Sequence, residues 1–190
     1  LRPKVYTSLK SACTDVNLPI EKLQKFKPSM VILLLTIEKM KQLNITEEGI
    51  DKHFNNKATA DKKKILGLET VEEQLHLITT MGEGNEDEFV KHSLEDIDDW
   101  KTEIKKLTAD WRCGSNKAMD EQLHKMNKDY PTLYNSMLVE RNNRWIPQIE
   151  AFLNNKTLEF VIVGSLHLHG KDGLLTLLKK KGYQVNQMRL

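Results

Sequence analysis

Apolar side chains recur at three- and four-residue steps along most of this chain, the spacing of helices that bury one face. Residues 19–25 read as a short helix. Ser29, after Pro28, is placed to cap a helix carrying Met30, Leu33, Leu34, Ile37 and Met40. A break at 44–48 precedes a helix on Ile50, Phe54 and Ala58, which ends in the charged run 61–64. Thr70 with Glu73 has the pattern of a capping box, opening a helix whose apolar face is Val71, Leu75, Leu77, Ile78 and Met81 and whose end is Gly82 with Gly84.

From 86 to 112 the pattern Phe89, Leu94, Ile97, Trp100, Ile104, Leu107, Trp111 predicts one long or two short amphipathic helices closed by Cys113 and Gly114, with Trp100 and Trp111 as core. Ser115 is expected to cap a helix bearing Met119, Leu123 and Met126. Another begins near Pro131 and carries Leu133, Tyr134, Met137, Leu138, Trp145, Ile149 and Phe152, with Pro147 expected to kink or restart it.

Two stretches break the helical period. Residues 65–68 are short and apolar, too short for a helix and read as a strand leading into the capped helix, and Phe160, Val161, Ile162 and Val163 form a β-branched run suited to a strand buried on both faces. After the second, Asp172 can cap a helix with Leu174, Leu175, Leu177 and Leu178. Lys179, Lys180 and Lys181 suit its C-terminal dipole, Gly182 its left-handed terminus, and 183–188 alternate like a closing strand. The expected fold is therefore α/β and helix-rich: a small, mostly buried sheet with surrounding helices and a C-terminal β-α-β unit. No repeat or linker divides residues 1–190, which read as a single domain.

Composition narrows the function more than it defines it. The 29 basic and 27 acidic residues leave a net charge of +2, with no long-range field to favour nucleic acid. The longest apolar run, Met30 to Leu35, is far short of the roughly 20 residues of a membrane-spanning helix, so a soluble chain is expected. A chain of 190 residues can bury roughly 70% of its unfolded surface without metal or disulfide staples. Cys13 and Cys113 allow one bridge at most. The chain opens at Leu1 without a methionine or signal peptide, so an N-terminal part, including any targeting segment, is expected to lie upstream or to have been removed.

Functional groups of open α/β sheets gather where strands end at their carboxyl edge. Two positions fit: Glu69, between the first apolar stretch and the capped helix, and His167, with His169 two residues on. Gly164 allows close backbone approach and Gly170 a sharp exit, so the imidazoles can be held in a turn. Carboxylate and neutral imidazole suit zinc, manganese or cobalt, and either can act as a general base. Plainer roles stand beside these. A glutamate before a helix is favoured by the dipole alone, loop histidines are commonly exposed, and Arg141 and Arg144 near Glu140 suit surface pairing. His53, His76, His92 and His124 sit singly in helices and receive no role.

The order of several short motifs resembles the TraB/GumN family, which includes the Tiki proteins. They are Gly49-Ile50-Asp51, Leu68-Glu69-Thr70 with Glu73-Gln74-Leu75, Arg141-Asn142 with Arg144, Val163-Gly164-Ser165-Leu166-His167-Leu168 followed by Gly170, then Gly173-Leu174-Leu175 and Gly182-Tyr183. The resemblance runs from about Pro28 to the C-terminus. It implies a metal-dependent, peptidase-like hydrolase with a divalent cation (Mn, Co or Zn). By that resemblance His167 is a metal ligand, Glu69 a ligand or general base, and Arg141 a catalytic cation, with Gly164, His169 and Arg144 as motif support.

The family's first Gly-x-x-His motif has no counterpart here. The chain is therefore expected to be the C-terminal part of a larger domain, or to hold an incomplete site. A missing part would carry the first strands and leave a sheet edge open to homo-oligomer formation. The alternatives are a non-catalytic protein that captures a peptide or small ligand, and, by a looser fold analogy, a haem or metal carrier. The family's habits place it in the bacterial envelope or periplasm, with the cytoplasm as the alternative.

Overall fold

Among the described residues every regular element is a helix, and no strand forms. The computed structural model describes residues 1–45 and 49–188, the side chains of 98–101 excepted, so part of the expected break at 44–48 and the core placement of Trp100 lie outside the described residues. The helix-rich α/β expectation, with its buried sheet and β-α-β ending, is overturned. A strand needs a neighbour to take its backbone groups, and none of the three expected strands pairs with another. Residues 160–163 lack regular structure and start with Phe160 at 71% exposure; Ile65, Leu66 and Met188 of the other two stretches are also exposed.

The chain divides into two compact units, residues 1–105 and 106–190. The first contains α1 (Pro3–Asp15), a 3-10 turn (Ile20–Leu23), α2 (Pro28–Gln42), α3 (Ile50–Ala60), α4 (Val71–Thr80) and most of α5 (Glu86–Cys113). Its core joins Leu9 and Cys13 of α1 to Ile20, to Val31 and Leu35 of α2, and to Val90 of α5. The one-long-helix alternative for 86–112 is the one that forms.

Lys27, not Ser29, caps α2. Pro28 takes the first helical position, where its missing N–H costs nothing, and this puts Ser29 inside the helix. The capping box of α4 is complete. Glu73 N–H donates to Thr70 Oγ1 at 3.1 Å, and Thr70 N–H donates to Glu73 Oε2 at 2.7 Å. Its expected apolar face is covered in part: Leu77, Ile78 and Met81 are half-buried and the helix packs against α2, whereas Val71 and Leu75 are exposed and no residue of α4 is fully buried.

In the second unit Gly114, at φ +66°, ends α5, and α6 (Lys117–Asp129) follows at once. Asn116, not Ser115, holds the N-cap position of α6 and its side chain makes no capping bond; Asp110 Oδ2 accepts from Ala118 N–H at 2.7 Å and Ser115 Oγ from Lys117 N–H at 3.3 Å instead. Trp111, expected in the core, is exposed. The helix from Pro131 comes in three parts: α7 (Pro131–Tyr134), a π turn (Asn135–Val139) and α8 (Glu140–Leu153). α8 continues through Pro147. The carbonyl that Pro147 cannot bond belongs to Asn143, an exposed residue, and the helix runs on without a restart.

A 3-10 turn (Ser165–His167) and α9 (Leu174–Lys180) complete the unit. Gly173, not Asp172, caps α9, and Gly182 at φ +92° ends it as the sequence predicts. Leu123, Tyr134 and Leu138 form a small core with Leu166 packed against it. Both cysteines are free thiols, and no helix among the described residues is long and apolar enough to cross a membrane.

Candidate functional site

The second unit gathers a polar cluster between α8 and the loop that runs from Gly164 to Gly173. His167 enters it through a tight turn in which its N–H donates to Gly164 O at 2.9 Å. Its side chain is buried, at 7% exposure. The sequence signal for this position was a glycine-flanked loop after an apolar run, and the loop holds the imidazole inside although the run does not form a strand.

The loop is fixed by several contacts. Gly170 has φ +77°, a left-handed conformation that gives the expected sharp exit. Thr176 Oγ1 donates to Gly170 O at 2.8 Å. Leu166 packs on the small core, and Ser165 Oγ lies 3.4 Å from Met119 Sδ. Gly164 does not play the close-approach role expected of it: a Cβ there would meet only His167 Cδ2, at an ordinary 3.6 Å. The close approach belongs to Gly173, where a Cβ would lie 2.1 Å from His169 O.

α8 supplies the other half. Arg141, Asn142 and Trp145 lie on its first two turns, directly after the π turn, a feature that often marks functional segments. Arg141 Nη1 donates to Met137 O at 3.2 Å and lies 3.2 Å from His167 Nε2, with the guanidinium carbon 4.8 Å from the Trp145 ring centre. Trp145 packs on the imidazole, with ring centres 4.4 Å apart. Asn142, 1% exposed, places Oδ1 2.7 Å from His167 Nδ1 and donates through Nδ2 to Asp172 O at 2.8 Å and His167 O at 3.3 Å.

Behind this cluster Tyr134 donates its phenolic proton to Asp172 Oδ2 at 2.9 Å, and Lys171 pairs with the same oxygen at 2.6 Å. Burial, then the Asp172 contact, pushes the Tyr134 phenol up to about 12. The Asp172 carboxyl sits below its ordinary value: burial raises it, and the hydrogen bonds of Lys171 and Tyr134 outweigh that.

Of the residues singled out from sequence, Arg141 and His167 meet. His169 stands two positions on, half-buried, and its carbonyl packs on Gly173; Arg144 is exposed on α8. Glu69 belongs to the first unit, at the residue before the Thr70 cap. Asn142 and Trp145 were not singled out for chemistry, although a signal existed. Leu138, Asn142, Trp145 and Ile149 share one helical face, so Asn142 is a carboxamide on an apolar stripe.

Among the described residues no three His, Cys, Asp or Glu side chains converge, and the buried imidazole presents its Nε2 to a guanidinium. A catalytic zinc centre usually has three protein ligands and an open position. These residues do not fit a self-contained centre of that kind.

A family model described as TraB/PrgY/gumN matches residues 1–187, including the first 27 residues, where the motif resemblance does not reach. No curated protein and no solved structure matches the chain.

Proposed function

The chain belongs to the TraB/PrgY/gumN family, and from that premise we propose that it is a peptidase-like hydrolase whose reacting groups in the second unit are His167 and Arg141. The observation that carries this reading is the 3.2 Å contact between Arg141 Nη1 and His167 Nε2 in a buried corner backed by Trp145. A guanidinium only donates, so Nε2 holds a lone pair. That lone pair is a proton acceptor, and the cation beside it is suited to polarise a carbonyl.

In the proposed reaction the substrate's carbonyl oxygen draws the Arg141 guanidinium from Nε2. Water then adds through its oxygen to the carbonyl carbon, and its proton passes to His167 Nε2. The C–N bond breaks as that proton reaches the departing amine. Arg141 stabilises the charge that develops on oxygen, an interaction strongest in the transition state. Glu69 is not needed for these steps. The divalent cation implied by the family resemblance takes no part in them, because this donor set does not fit one.

The test is peptide cleavage by the purified chain, read by mass spectrometry of the fragments. Cleavage by wild type that falls at least about 100-fold in His167→Ala and Arg141→Ala supports the reading. Cleavage unchanged in His167→Ala ends it. A second reading, capture of a peptide or small ligand without turnover, draws on the same contact, since a guanidinium resting on Nε2 occupies the base. Saturable binding with no product after long incubation favours capture.

A further inference from the structure

We propose that Asn142 is the positioning residue of this site: it fixes the proton of neutral His167 on Nδ1 and so keeps the lone pair on Nε2. The proposal deepens the hydrolase reading, and its functional meaning rests on it.

Asn142 Nδ2 lies 2.8 Å from Asp172 O and 3.3 Å from His167 O. Both are carbonyl oxygens, which only accept, so the nitrogen of the carboxamide must face them. The amide therefore cannot be turned over, and Oδ1 is left facing His167 Nδ1 at 2.7 Å. Because a carboxamide oxygen only accepts, Nδ1 must donate and carries the hydrogen. Arg141 makes the same demand from the other side of the ring, since its Nη1 at 3.2 Å requires an acceptor at Nε2.

Burial makes the choice firm. Asn142 is 1% exposed, so water is a poor substitute for any of its three partners. The opposite tautomer would set N–H against N–H at Arg141 and lone pair against lone pair at Asn142. Asn142 also ties the two ends of the loop together, one bond at residue 167 and one at residue 172. Ring orientation and loop closure thus depend on one side chain, as with the groups that orient imidazoles from behind in other sites.

The test reads the tautomer without relying on activity. The 15N-labelled chain is examined by long-range proton–nitrogen correlation at alkaline pH, with His167→Gln identifying the His167 signals. The expected result is a pyrrole-type Nδ1 and a pyridine-type Nε2. Because Arg141 enforces the same tautomer, the role of Asn142 is read in the Arg141→Ala background. Arg141→Ala should keep the hydrogen on Nδ1, Arg141→Ala with Asn142→Ala should shift it toward Nε2, and Asn142→Ala alone should lower kcat for peptide cleavage at least about tenfold while KM changes little.

A wild-type spectrum with the hydrogen on Nε2 overturns the proposal, and so does a double variant that keeps the tautomer of Arg141→Ala. If Asn142→Ala does not fold, the wild-type spectrum still decides. If the tautomer is as stated but wild type cleaves no peptide, the hydrolase reading fails and the assignment of Asn142 stands.

Discussion

Gly173 passes under the carbonyl of His169 so closely that a Cβ at position 173 would lie 2.1 Å from that oxygen. The clash is with backbone, so it cannot be relieved by a change of rotamer. Asp172, the neighbouring residue, gives its own carbonyl to Asn142 at 2.8 Å. Gly173→Ala should therefore displace the segment that anchors Asn142 and destabilise the fold by about 1–3 kcal/mol, the usual cost of overpacking. Urea unfolding checks this, and an unchanged midpoint would count against the close approach.

The buried Tyr134 phenol gives a pH dependence with a definite sign. Its pKa is pushed up to about 12, first by burial and then by the hydrogen bond to Asp172, against about 10 in an unfolded chain. Between those values the folded chain keeps a proton that the unfolded chain has lost. The stabilisation is complete below about pH 10 and is lost as pH rises toward about 12. Tyr134→Phe should cost about 1 kcal/mol near neutrality through the lost hydrogen bond, and its stability should fall less steeply than wild type on going to about pH 11. Parallel unfolding curves for the two proteins at high pH would refute this.

The helices were legible because their signals are local. Thr70 and Glu73 form their box three residues apart, and Gly82, Gly114 and Gly182 all take positive φ just past a helix end. The sheet misled because a β-branched run such as 160–163 states only that a strand would be comfortable there. Whether one forms depends on a pairing partner elsewhere, which local pattern does not carry. His167 was legible from its glycine-flanked loop. Arg141 was legible only by resemblance, since its spacing on a charged helix surface equally suits a surface ion pair. Asn142 lay in view on an apolar stripe, but its meaning needed two loop carbonyls that arrive from 25 and 30 residues away.

Ser29 provides a prediction in the opposite direction, a gain. It lies at the second position of α2, is 2% exposed, and its Oγ has no hydrogen-bond partner among the described residues. A buried hydroxyl without a partner carries a desolvation penalty of about 1–3 kcal/mol. The cap of α2 is Lys27, so no capping bond is lost on substitution, and alanine is the better helix former by about 0.5 kcal/mol. Against this stands the loss of one oxygen's packing, the smaller effect because a single atom forms only a few dispersion contacts. Ser29→Ala should therefore stabilise the chain by about 1 kcal/mol and raise Tm by a few degrees. Differential scanning calorimetry of the two proteins settles the sign. A lower Tm in Ser29→Ala would mean that the hydroxyl has a partner in solution, with a buried water the first to look for.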